Sequence, residues 1–149
     1  ELDAQVRATG SAAEDTTTAA ASERWLTLPS LPPAWEKKML ARRDAALRAL
    51  AEPDTAAAHA SRVARGTEAR REILLELEIA LGLESPAGLQ ARRLALQVQQ
   101  LRQRFQSAAT AGAGTAGERL LAWCAEPGMV DAGDRERCDR VFSAIERGR

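Results

Sequence analysis

The sequence has no tyrosine, a single histidine, two cysteines and only 3% aromatic residues. Each shortage excludes something. With so few aromatics, alanine and leucine must supply most of any buried surface. A composition rich in Ala and Arg but poor in β-branched residues favours helix over sheet. Cys124 and Cys138 lack the paired C-x-x-C spacing of a structural zinc site, and His59 has no second imidazole or nearby cysteine with which to share a metal. His59 reads as part of a solvated helix surface. The two cysteines make no disulfide framework and read as small buried apolar residues, thiols in a reducing compartment.

Net charge is also missing. Twenty-one Lys and Arg balance twenty-one Asp and Glu, so nothing global attracts the chain to nucleic acid or to a membrane. No apolar run is long enough to cross a bilayer and no secretory leader is evident, which reads as a soluble, cytoplasmic chain without membrane partners. The stretch "TAGAGTAGER" has the glycines of a phosphate cradle but neither a following Lys-Ser/Thr nor a preceding strand, and reads as a linker. No nucleophile–base pair, metal-ligand set or cofactor loop can be assembled. No catalytic, cofactor-binding or metal-binding residue is therefore expected, and no enzyme. The chain opens on Glu1 rather than Met, which reads as a piece of a longer protein.

What is present is helical. At 149 residues the chain has one domain's worth of length. Residues 1–18, rich in Ala, Thr and Ser and acidic, read as a mobile lead-in, and 19–149 as a single helical domain. Helix sets in near Ala19 and runs to Trp25, where "LPSLPP" breaks it. Pro33 opens a second helix to about Ala51, with Met39, Ala46, Leu47 and Leu50 as its apolar stripe. After "EPD", Asp54 and Thr55 offer N-caps for a helix over about 55–82, with Gly66 a soft spot and Gly82 a natural C-cap. Ser85 as N-cap and Pro86 open the next helix, about 86–109, carrying Leu89, Leu94, Leu96, Val98, Leu101 and Phe105. So short a connection makes the two helices antiparallel neighbours. A glycine-rich connector, a short helix with Leu120, Leu121 and Trp123, and a last helix over about 132–147 with Val141, Phe142 and Ile145 turned inward complete an all-α bundle of five or six helices.

Two segments of this bundle echo one another. Trp25, Pro29, Ala34, Arg42 and Ala46 align with Trp123, Pro127, Ala132, Arg140 and Ala144 at one constant offset. Each Trp is expected near a helix end, mostly buried, plugging the corner where a proline turns the chain into another helix.

The stretch "EIALGLESPAGLQARRLALQVQQL" resembles the bacterial family of domains of unknown function numbered 349. Glu78, Gly82, Leu83, Glu84, Ser85, Pro86, Arg93, Leu94, Gln97, Val98 and Leu101 carry the resemblance. "RWLTLPSLPP" and "LLAWCAEP" are similar to that family's Trp- and Pro-punctuated helices. The resemblance, over roughly 24–145, implies a helical bacterial protein with repeated helical segments and no established activity.

Within the hairpin, Glu78 sits among apolar neighbours, and Arg93 and Gln97 share a face one turn apart on the facing helix. The three read as a structural polar clamp that fixes hairpin register. The neutral total hides a basic middle. Residues 85–117 contain arginines but no acid, and Lys37, Lys38, Arg42, Arg92, Arg102 and Arg104 are the candidates for a basic surface. Arg102 and Arg104, two apart on a helix, diverge by about 160°, so at most weak, salt-sensitive nucleic-acid binding is expected. The reading is a non-enzymatic helical scaffold or protein-interaction module whose partner is another protein or the rest of the parent chain. The alternative is a nucleic-acid- or ribosome-associated domain using the basic surface.

Overall fold

The computed structural model describes residues 15–106 and 115–148, without the side chains of 15–18, 21, 22, 53 and 103–106. Among these residues there are six α-helices, one short 3-10 turn and no strand: α1 (Asp15–Leu26), α2 (Pro33–Ala51), α3 (Pro53–Ala80), the 3-10 turn Ala87–Leu89, α4 (Gln90–Gln106), α5 (Ala116–Ala125) and α6 (Ala132–Arg147). The protein is all-α. Residues 1–14, most of the lead-in, and 107–114, most of the glycine-rich connector, lie outside the described residues. None of the described helices is long and apolar enough to cross a membrane.

The helix boundaries follow local chemistry. Pro33 stands in the first turn of α2, where its missing N–H would have had no intrahelical partner. Pro53 opens α3 on the same principle, two residues before the expected start. Thr55 is thus no N-cap. Its hydroxyl donates back to the Glu52 carbonyl at 2.9 Å and lies 3.4 Å from that of Arg48, tying down the end of α2. Helix α3 ends at Ala80 and the chain turns at Gly82, whose φ of 69° suits glycine; the Leu83 N–H then reaches the Glu78 carbonyl and the Gly82 N–H that of Ile79. Ser85 caps nothing: the 3-10 turn intervenes before α4, and the Ser85 hydroxyl is used elsewhere. Helix α5 begins with a reciprocal cap that the linker reading missed. The Glu118 N–H donates to the Thr115 hydroxyl and the Thr115 N–H to the Glu118 carboxylate, at 3.2 and 2.7 Å. Asp131 caps α6 by accepting from the Asp134 N–H at 2.7 Å.

The described residues divide into two compact units, and the division falls inside α3, after Glu68. Of the described residues, the first comprises 15–68 and 124–129. Its interior is small: Ala46, Ala49 and Leu50 of α2, with Ala56 of α3 packed against Ala49 and Leu50, and Val63 of α3 fully buried. Gly66 is buried because the chain crosses it. A Cβ there would overlap the Pro127 carbonyl oxygen, so this glycine is a close-approach position rather than a soft spot.

The second unit comprises, of the described residues, 69–106, 115–123 and 130–148. Leu74, Leu75 and Leu77 of α3, Leu96 of α4, Leu120 and Trp123 of α5, and Cys138 and Val141 of α6 are buried in it. Glu72 on α3 pairs with Arg92 on α4 across the corner. Phe142, expected inward, is exposed. So are Leu94, Val98 and Leu101, because Leu96 alone of the described leucine and valine side chains on α4 turns into the unit.

The Trp–Pro echo is a helix–break–helix twice over, but the two rings differ. Trp123 is buried, with the Arg70 guanidinium 3.9 Å from its ring centroid. Trp25 is only half-buried, beneath Arg43 at 5.0 Å. The expected burial fails there because Leu26, Leu28 and Leu31 around it are themselves exposed and α1 has no apolar stripe to close over it.

Candidate functional site

In the first unit, α2 presents Lys38, Ala41, Arg42 and Ala45 at helical spacing, one face over two turns. His59 and Arg62 stand one turn apart on α3. With Ala125 and Pro127 these residues line a cleft of about 360 Å³. Three alanines explain the space: no side chain on the lining is both large and apolar. Arg42 is fixed at the wall, donating from Nη1 to the Cys124 carbonyl at 2.8 Å and from Nη2 towards that of Gly128 at 3.4 Å. Cys124 supplies one of the last carbonyls of α5, which a guanidinium satisfies both as donor and as a cation at a helix C-terminus. The crossing segment is tied down again where the Met129 N–H donates to the Thr67 hydroxyl at 2.9 Å.

His59 is 2% exposed, not the solvated residue the sequence indicated. The polar look of "AAAHAS" hid that residues 59, 63 and 66 share the buried side of α3. The cleft thus gathers two of the expected basic residues, Lys38 and Arg42, with two that sequence reasoning left out of any site, His59 and Arg62. Spacing on the two helices could have found Arg62; the depth of His59 depends on tertiary packing. Lys37 is exposed and outside the lining.

In the second unit, Glu78 is 1% exposed and is the centre of a polar network. It accepts from the Ser85 hydroxyl at 2.6 Å and from Arg137 Nε at 2.8 Å and Nη2 at 3.1 Å, with Arg140 Nη2 at 3.9 Å. Arg93 does not touch Glu78. It donates to the Ser85 hydroxyl oxygen at 2.6 Å and to the Leu83 carbonyl at 2.7 Å, so it reaches the carboxylate only through the serine. Gln97, half-buried on α4, joins neither. Arg137 extends the network through Nη1 to Asp134 at 3.1 Å, and Asp134 accepts from Arg71, which also reaches Asp131. The clamp's true partners are therefore Ser85 and Arg137. Arg137 lies 59 residues away in another helix, so sequence spacing gave no signal for it. Within this network the Ser85 hydroxyl donates to Glu78, which is itself paired to the Arg137 guanidinium.

Arg92 is paired with Glu72, Arg102 is exposed on α4, and the Arg104 side chain lies outside the described residues. Cys138 is buried and Cys124 half-buried, and neither is in a disulfide. Among the described residues no group of three His, Cys, Asp or Glu could hold a metal ion. Compared with known proteins, the chain matches no protein-family model, no curated protein and no solved structure.

Proposed function

We propose that the protein is a non-enzymatic helical interaction module, and that its docking element is the outer face of α4. One observation carries this: Leu94, Val98 and Leu101 are 63%, 39% and 52% exposed and follow one another at steps of four and three, the spacing of a helix–helix seam. Charge selects the occupant. Between residues 85 and 117 there are arginines and no acid, and Arg102 is exposed beside the seam. A second copy would set arginines against arginines, whereas an amphipathic helix with acidic flanks would meet them with opposite charge. The partner is therefore an acidic amphipathic helix of another protein, met in the cytoplasm of a bacterium.

The test is fluorescence anisotropy with a labelled synthetic helix bearing leucines at seam positions and glutamates beside them. The wild-type chain binds it, and Leu94→Ser/Leu101→Ser weakens binding by roughly tenfold or more, since each buried leucine contributes about 1.5–3 kcal/mol. Self-association through the same residues in sedimentation runs overturns the reading, as does absence of peptide binding. Nanomolar binding of labelled RNA or duplex DNA that persists at high salt favours the nucleic-acid alternative instead.

A further inference from the structure

We infer that the cleft between α2 and α3 binds a small ligand through a phosphate group. Its lining holds three cationic side chains, Lys38, Arg42 and Arg62, beside the buried imidazole of His59, and no carboxylate. The nearest acid in the crossing segment, Glu126, has its Oε1 turned against Gly66 and is not part of the lining. Lys38 and Arg62 are exposed at the rim and make no ion pair with any described residue, so their charge is available to an incoming anion. Arg42 is already fixed by the backbone carbonyls of Cys124 and Gly128, which lowers the ordering cost of binding.

Two arginines and a lysine lining one cleft suit a doubly charged phosphate better than a single carboxylate, because guanidinium N–H groups match phosphate oxygens and Lys38 and Arg62 bring two positive charges to its two negative ones. The remaining lining is Ala41, Ala45, Ala125 and Pro127, an apolar wall for a short carbon skeleton. A volume of about 360 Å³ lies at the lower end of small-molecule pockets, room for a phosphate monoester of a few carbons. The activity is binding, and it is independent of the α4 face.

The experiment is a ¹H–¹⁵N NMR titration of the whole chain with glycerol 3-phosphate, inorganic phosphate and glycerol. Saturable shifts are expected at residues 38, 42, 59 and 62 with the first, and none with glycerol. If inorganic phosphate binds as tightly as glycerol 3-phosphate, the ligand is free phosphate; tighter binding of the ester assigns a phosphomonoester. Lys38→Ala/Arg62→Ala, both on the exposed rim, weakens binding by about tenfold or more, as loss of a charge-assisted contact requires. Lys37→Ala leaves it unchanged. Absence of saturable phosphate binding at millimolar concentration overturns the inference, as does equal binding by the Lys38/Arg62 double variant while its spectrum stays folded.

Discussion

Glu78 and Arg137 form a two-pronged pair, Nε to Oε1 at 2.8 Å and Nη2 to Oε2 at 3.1 Å, with both side chains almost wholly out of water. Such a pair is expensive to break from one side only, because the surviving charge stays buried without its counter-charge. Glu78→Ala is expected to cost about 3–5 kcal/mol, and Arg137→Ala a similar amount. Urea unfolding of the two single variants and the double variant checks this. The double variant should be well short of the sum, since removing both charges leaves neither stranded. Strict additivity would mean that the two residues act independently.

Gly66→Ala should destabilise, against the usual helical preference. Alanine is favoured over glycine inside a helix by about 1 kcal/mol, yet here the new methyl would overlap the Pro127 carbonyl oxygen, a backbone atom that cannot swing aside. A net loss of about 1–3 kcal/mol is expected from the forced shift. Gly117→Ala provides the contrast: the nearest atom to its added Cβ is the Thr115 hydroxyl at an ordinary 3.8 Å, so thermal melts should show no loss. Equal behaviour of the two variants would remove the close approach from the explanation.

The cap on α6 sets an acid limit on stability. The Asp134 N–H, and after it the Arg71 guanidinium, hold the Asp131 carboxyl below its ordinary value of 3.8. A carboxylate whose folded value is lowered contributes stability at pH above 3.8 and loses it as pH falls through the lower folded value. Asp131→Ala should therefore lower the urea midpoint at neutral pH, and the wild-type and variant midpoints should converge below pH 3.8. A gap that stays constant through that range would show that the carboxylate's charge is not involved.

Much of the helix map was legible because its punctuation is local. Pro33, Gly82 and the break after Trp123 act within a turn of where they stand, and the observed ends fall there. Side-chain destinations were less legible. Ser85 looked like a cap because nothing in its neighbours says that a buried carboxylate waits seven residues earlier. Trp25 and Trp123 have the same local pattern and different burial, since burial depends on which elements close over the ring. The cleft is the extreme case: α2 and α3 contribute residues at helical spacing that a sequence shows, but the alanine-lined space between them exists only once the backbone is placed.

The Glu78 carboxylate also has a history in time. Its contact with Ser85 closes a loop of seven residues, and that with Arg137 a loop of 59. Closing the longer loop costs about 2 kcal/mol more in chain entropy, so the hairpin corner is expected to form first, with the carboxylate still open to water. The last helix would then dock onto an acceptor already in position, its arginine displacing the solvent. Shortening the connector between α4 and α5 should speed that closing step and leave formation of the corner untouched.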